Sequence, residues 1–171
     1  WSNRFENKTS LSFQKIGSSV HIDKRLYEQD IAASIVHTQM LSKQKIISSK
    51  DGAKIINGLK KIKSLIDKGN FDFKEKFEDI HLNIEKKLFE IIGASAGYMH
   101  TARSRNDQVV TDFKLWVKES SFSIIKELNI LMRNIIVKAD KNVSTVMPGF
   151  THLKNAQPIS FAHYLLAYYE M

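Results

Sequence analysis

The sequence predicts an all-α fold organised around one very long helix, and three observations carry that expectation. Only 2 prolines and 7 glycines occur in 171 residues, too few for the frequent tight turns of an all-β fold. Apolar residues recur at three- and four-residue steps in several segments, the period of one helix face. No Pro or Gly falls between residues 107 and 147, which at 1.5 Å per residue leaves room for a helix of roughly 50 Å.

Taken in chain order, residues 1–22 are polar and irregular and predict loop or extended backbone. From Asp23 the pattern turns helical, with Leu26, Ile31, Ile35, Met40 and Leu41 forming an apolar stripe. A second amphipathic helix follows SSKDG: Ile55, Ile56, Leu59, Ile62, Leu65 and Ile66 line one face, Gly69 supplies the stop, and lysines 54, 60, 61, 63 and 68 face water. Residues 70–78 are a charged and aromatic connector. A third helix is expected from about Asp79 to Ile92, buried along Leu82, Leu88 and Ile91 and ended by Gly93. After the loop GASAGYMHTARSR, Asn106 or Asp107 is placed to cap the long helix, which continues through Val110, Phe113, Val117, Ile124, Leu128, Leu131 and Ile135 to about Asp140. Apolar residues on so much of its circumference predict an elongated bundle, of the kind often shared between subunits. Residues 141–157 read as a second loop, with Pro158 in the first turn of a final helix.

Composition narrows the chemistry. There is no cysteine, which removes disulfides, thiolate metal sites and a cysteine nucleophile. HExxH, GxGxxG and GxxxxGK[ST] are all missing, so a metal site and a nucleotide-binding fold have no motif behind them. No apolar run approaches the roughly 20 residues that span a bilayer. The net charge of +8 raises nucleic acid as a partner. The basic residues are spread along the chain and mixed with acids on helices, however, so a solvated lysine-rich surface is expected and nucleic acid is not. The absence of an initiator Met and the stop inside the apolar run FAHYLLAYYEM predict a piece of a longer polypeptide.

Four segments could carry chemistry. In HTARSRNDQ, residues 100–108, Thr101, Arg103, Ser104, Arg105 and Asn106 stand before a helix start, where free N–H groups and guanidiniums suit a carboxylate or phosphate. A capped helix start with surface arginines explains it about as well. In MPGFTHLKNAQP, residues 147–158, His152 beside Thr151 has the side chain best suited to moving protons near neutrality. In EDIHLNIE, residues 78–85, Asp79 and His81 could orient one another or a ligand, or be a cap and a polar helix pair. In GSSVHID, residues 17–23, Ser18, Ser19 and Asp23 would on their own be caps.

The strings HTARSRNDQVVTDFKLW and MPGFTHLKNAQPISFAHYLLAYYEM, with WSNRF, SSVHID and EDIHLNIE in the same order, closely resemble the argininosuccinate lyase family of the aspartase/fumarase superfamily. The resemblance implies an N-terminal, mostly helical domain over residues 1–105 and the start of the superfamily's long-helix bundle over 106–171. It implies reversible β-elimination of argininosuccinate to arginine and fumarate, in arginine biosynthesis, by a cytoplasmic homotetramer without metal or cofactor. By the family pattern His152 is the catalytic acid/base. Ser19, Asn106 and Thr151 bind substrate, and Asp23, Asp79, His81, Ser104 and Arg105 lie near the same pocket. Family active sites draw on three subunits, so these residues are not expected to converge within one chain. The family's serine loop, GSSxMPxKxN, does not occur in these 171 residues, so the chain alone is expected to be inactive.

Ala102 stands where the family commonly has Gly, Phe150 where Tyr is common, and Lys154 and Asn155 where Gln-Arg or Gln-Lys is common. If position 102 needs a positive φ, Ala costs roughly 1–2 kcal/mol there. The alternatives are a catalytically silent, crystallin-like protein on the same fold and another fumarate-releasing lyase of the superfamily.

Overall fold

The computed structural model describes residues 10–171 and divides the chain into two compact units, one up to Val117 and one from Lys118 to Met171. Of the irregular stretch expected over residues 1–22, the described part is helical. Ser10 accepts a hydrogen bond from the Phe13 N–H at the start of α1 (Leu11–Gly17), and α2 (Val20–Asp23) follows. Both are too short for hydrophobic periodicity to reveal them.

After a single 3₁₀ turn at Lys24–Leu26, α3 (Tyr27–Lys43) and α4 (Ser49–Asp67) form an antiparallel pair, and α5 (Ile80–Ile92) packs across α4. Ile31 and Leu41 of α3, Ile55, Leu59 and Ile62 of α4, and Ile80, Ile84 and Leu88 of α5 are fully or almost fully excluded from water. This core is the stripe the spacing predicts for α4. On α5 the buried edge is turned from the expected one: Leu82 and Ile91 are only half-buried, while Ile80, Ile84, His81 and Asn83 face inward. α4 and α5 touch closely because Gly58 has no side chain. A Cβ there would stand 2.5 Å from Leu88 Cδ1. Four of the five α4 lysines are exposed as expected. The fifth, Lys63, is half-buried and bridges Glu28 at 2.8 Å and Asp67 at 3.0 Å.

Asp79 caps α5 by accepting from the Leu82 N–H at 2.6 Å, and Gly93 takes a φ of 69° just past its end. The expected loop after it is instead wound into 3₁₀ turns over Gly93–His100. The long helix, α6 (Arg105–Asp140), has 36 residues, about 54 Å. It starts earlier than Asn106 or Asp107: Ser104 is the residue whose carbonyl accepts from the Gln108 N–H and whose hydroxyl accepts from the Asn106 N–H. Many of its apolar side chains are exposed, among them Phe122, Ile124, Leu128 and Leu131.

In the second unit the expected loop 141–157 is largely an antiparallel hairpin of β1 (Val146–Thr151) and β2 (Lys154–Ser160). Pro158 is therefore paired with Pro148 in the sheet, and Ser160, not Pro158, opens α7 (Phe161–Glu170) by accepting from the His163 N–H. The class remains all-α with this one small sheet. No helix among the described residues is long and apolar enough to cross a membrane.

Leu59 sits at the centre of the α3–α4–α5 core. Leu59→Ala is expected to destabilise the protein by about 2–5 kcal/mol, read as a lowered denaturant midpoint with unchanged secondary structure.

Candidate functional site

In the first unit the start of α5 gathers most of the sequence-predicted residues. The Ser19 hydroxyl donates to Asp23 Oδ2 at 2.6 Å, and Asp23 Oδ1 accepts from the Ile80 N–H at 3.0 Å. The Ser19 and Val20 N–H groups both donate to the Glu78 carbonyl. Asp23 thus serves the helix of another segment, as Asp79 serves its own. Glu78 has a φ of 62°, so the backbone turns sharply where the two segments meet.

Arg105 closes this group from α6. Its Nε lies 3.8 Å from Asp79 Oδ2, its Nη2 donates to Glu85 Oε2 at 3.2 Å, and its Nη1 donates to Gln108 Oε1 at 2.8 Å. Ser104 and Asn106 are exposed beside it at the first turn of α6. A guanidinium, hydroxyls and an amide therefore meet at the opening turn of a long helix, a combination suited to a carboxylate ligand. Ala102, just before them, has a φ of 53°, the condition under which an alanine is strained at this position.

His81 does not face that surface. It is 2% exposed, and its Nδ1 lies 3.3 Å from Asp30 Oδ1 and 3.4 Å from Asp112 Oδ2, both carboxylates being fully buried. Gln108 Nε2 donates to Asp30 Oδ1 at 2.5 Å. Asp30 and Asp112 escape sequence reasoning because each sits inside a helical run as an apparently ordinary surface residue, whereas Gln108 ends the singled-out string HTARSRNDQ without being given a role there. The available signal is that Asp30 and Asp112 align with the apolar stripes of their helices.

The charges in this cluster divide unequally. Burial would raise the Asp30 pKa, but the adjoining His81 outweighs it and holds Asp30 below the ordinary carboxylate value. Burial would likewise lower His81, and Asp30 instead raises it. For Asp112, burial and then the charge of Asp30 act together, pushing it up to about 8. Asp30 is thus biased toward its ionised form, His81 toward its protonated form and Asp112 toward its neutral form. The ligand atoms of the three residues lie within 4.8 Å of one another, so this is also a grouping among the described residues that could hold a metal ion.

A groove of about 780 Å³ runs between α3 and the start of α6, past Arg103, whose guanidinium donates to Ser34 Oγ at 3.2 Å. Its lining, including Ala33, Val36, Met40 and Leu115, is mainly apolar and poorly matched to a dicarboxylate.

Thr151 and His152 belong to the second unit, at the tip of the hairpin. Thr151 pairs with Lys154, so His152 and Leu153 form a two-residue turn, with φ of 51° and 62°. Positive φ at both positions is the geometry for which Asn-Gly is usually selected. Here the strained pair presents the imidazole outward, and both side chains are exposed.

The chain matches the family model described as "Lyase" over residues 3–171. It is 55% identical over all 171 residues to the argininosuccinate lyase of Pelagibacter ubique, and 48% to that of Bartonella bacilliformis; in both cases it spans 37% of the relative's length. The argininosuccinate lyase of Ehrlichia canis is 50% identical over the same residues, with 36% of its length spanned. Among solved structures, an EDDS lyase variant with bound fumarate matches 96% of this chain and 33% of its own, at a TM-score of 0.75 and 26% identity. A fumarate lyase from Mesorhizobium shares the fold at a TM-score of 0.69 and 16% identity, matching 97% of this chain and 38% of its own.

The buried cluster sets a pH dependence. Between the ordinary carboxylate value of 3.8 and about 8, the folded protein keeps a proton on Asp112 that the unfolded chain releases, so stability falls as pH rises through that window. His81, raised above its ordinary value, adds a loss of the same sign as pH climbs through its folded value. Asp112→Asn is expected to flatten the decline by about 1.4 kcal/mol per pH unit, measured by denaturation at about pH 5 and about pH 8. Ala102→Gly is expected to stabilise by up to about 1 kcal/mol, the relieved strain less the added backbone entropy, seen as a raised melting temperature.

Proposed function

The chain belongs to the lyase family, and from that premise we propose that the protein it comes from is an argininosuccinate lyase, splitting argininosuccinate reversibly into arginine and fumarate. The observation that carries this is the 55% identity to a named argininosuccinate lyase across every residue of the chain. The chain spans about 37% of such relatives, so the reaction belongs to the whole protein.

In this reaction a proton leaves the carbon beside a carboxylate, the electron pair forms the fumarate double bond, the carbon–nitrogen bond breaks, and the departing guanidino nitrogen ends as arginine. Removing a weakly acidic C–H proton requires that the charge spreading onto the carboxylate be met by fixed donors. Arg105, the N–H groups opening α6 and the Asn106 amide are the donors this chain supplies. Ser19 and Thr151 bind substrate, and His152 is the acid/base, moving a proton at its imidazole. Asp23 and Asp79 hold the binding surface in shape, with Ser104 opening the helix.

The exposed apolar face of α6 supports assembly into a cytoplasmic homotetramer through a helical bundle, beginning with a domain from residue 106, with sites built from several subunits. No cofactor enters the scheme. The family's GSSxMPxKxN signature does not occur in these 171 residues, and on this reading the chain alone is expected to be inactive.

Following fumarate absorbance with argininosuccinate and the full-length protein tests the reading; a folded tetramer releasing no fumarate refutes it. His152→Asn is expected to lower kcat by about 10-fold or more while the tetramer persists, and the 171-residue polypeptide to show no turnover.

A further inference from the structure

Gln108 is 2% exposed, yet neither end of its amide meets an ordinary neighbour. On one side stands the fully buried Asp30 carboxylate, 2.5 Å from Nε2; on the other, the Arg105 guanidinium, 2.8 Å from Oε1. An ionised carboxylate only accepts and a guanidinium only donates, so the amide has one possible orientation. Neither a carboxylate nor an ammonium at position 108 could serve both partners, because each offers only one kind of group.

The remaining contacts of Arg105 show why such a bridge matters. Glu85 and Asp79 lie on its α5 side, at 3.2 and 3.8 Å. Left to these alone, the guanidinium would be drawn onto two carboxylates and its charge largely spent on them. The Gln108 carbonyl holds it from the α6 side without adding a negative charge that would repel an incoming anion.

We propose that Gln108 is a positioning residue, an amide bridge that references the Arg105 guanidinium to the buried Asp30 and presents it, already oriented, to a substrate carboxylate. This rests on the lyase reading above, with Arg105 as a carboxylate-binding group. Gln108 itself touches no substrate; its effect passes through Arg105.

The test is a double-mutant cycle in the full-length enzyme, with Gln108→Met and Arg105→Met alone and together. Gln108→Met is expected to raise KM for argininosuccinate about 10-fold while kcat changes less than about threefold, and to cost nothing further in kcat/KM once Arg105 is gone. An equal loss in both backgrounds, or an unchanged KM, overturns the inference. Should Gln108→Met not fold, Gln108→Asn keeps the amide but is too short to span both partners, and it enters the same cycle with the same expectation. A crystal structure of the variant supplies a readout that does not need the lyase reaction. Arg105 is expected to have moved onto Glu85 and Asp79, and an unmoved guanidinium refutes the bridge. If Arg105→Met leaves kcat/KM intact, it is the lyase reading of Arg105 that fails, and the crystal structure still decides the role of Gln108.

Discussion

A carboxylate taken wholly out of water must find its compensation in the protein, and Asp30 imposes that constraint on the first unit. It is held by His81 from α5 and Gln108 from α6, and its charge adds to burial in pushing up the pKa of its neighbour Asp112. Three helices are thereby fixed by groups that leave little freedom of register. Sliding α6 by one residue would take both Gln108 and Asp112 away from Asp30. The hydrophobic contacts of α3, α4 and α5 supply the burial, but they would tolerate small shifts that a short charged hydrogen bond does not. The polar surface at the first turn of α6, with Arg105 and Asn106, inherits its placement from this buried arrangement.

The part of the fold legible in the sequence is the part written in local spacing. The apolar stripe of α4, the cap of α5 at Asp79 and the end of α6 near Asp140 all follow from residues within a few turns of each other. The hairpin was hidden because its turn is His-Leu where a type I′ turn normally advertises itself as Asn-Gly, and because Pro148 and Pro158 argue against paired strands. Helix α1 is short and polar enough to pass for a loop. Among the candidate residues, the surface group of Ser19, Asp23, Asp79 and Arg105 carried recognisable motifs. His81 was flagged by the same motif, although its side chain points to the interior. The partnership of Asp30 with Gln108 is not legible, since it spans 78 residues and no window of sequence contains both.

The two loops that motif reading joined are built on different principles. Around Arg105, polar groups are crowded, partly buried and mutually compensated, so the site is stiff before any ligand arrives. At His152 the exposed imidazole stands on a strained backbone, in a turn whose geometry is held by the strands on either side. Donors held in place before binding suit the stabilisation of charge.

The groups that compensate Asp30 are also spread widely along the chain. A chain made from its amino end brings out Asp30, then His81, and only later Gln108 and Asp112. The α3–α4–α5 core can close first, with His81 settling against Asp30 as a compensated pair. The arrival of α6 then buries a second carboxylate, which must take up a proton to enter. Because the folded unit holds a proton on Asp112 that the free chain releases, packing of α6 against this core is favoured as pH falls from about 8, the same sign as the change in stability.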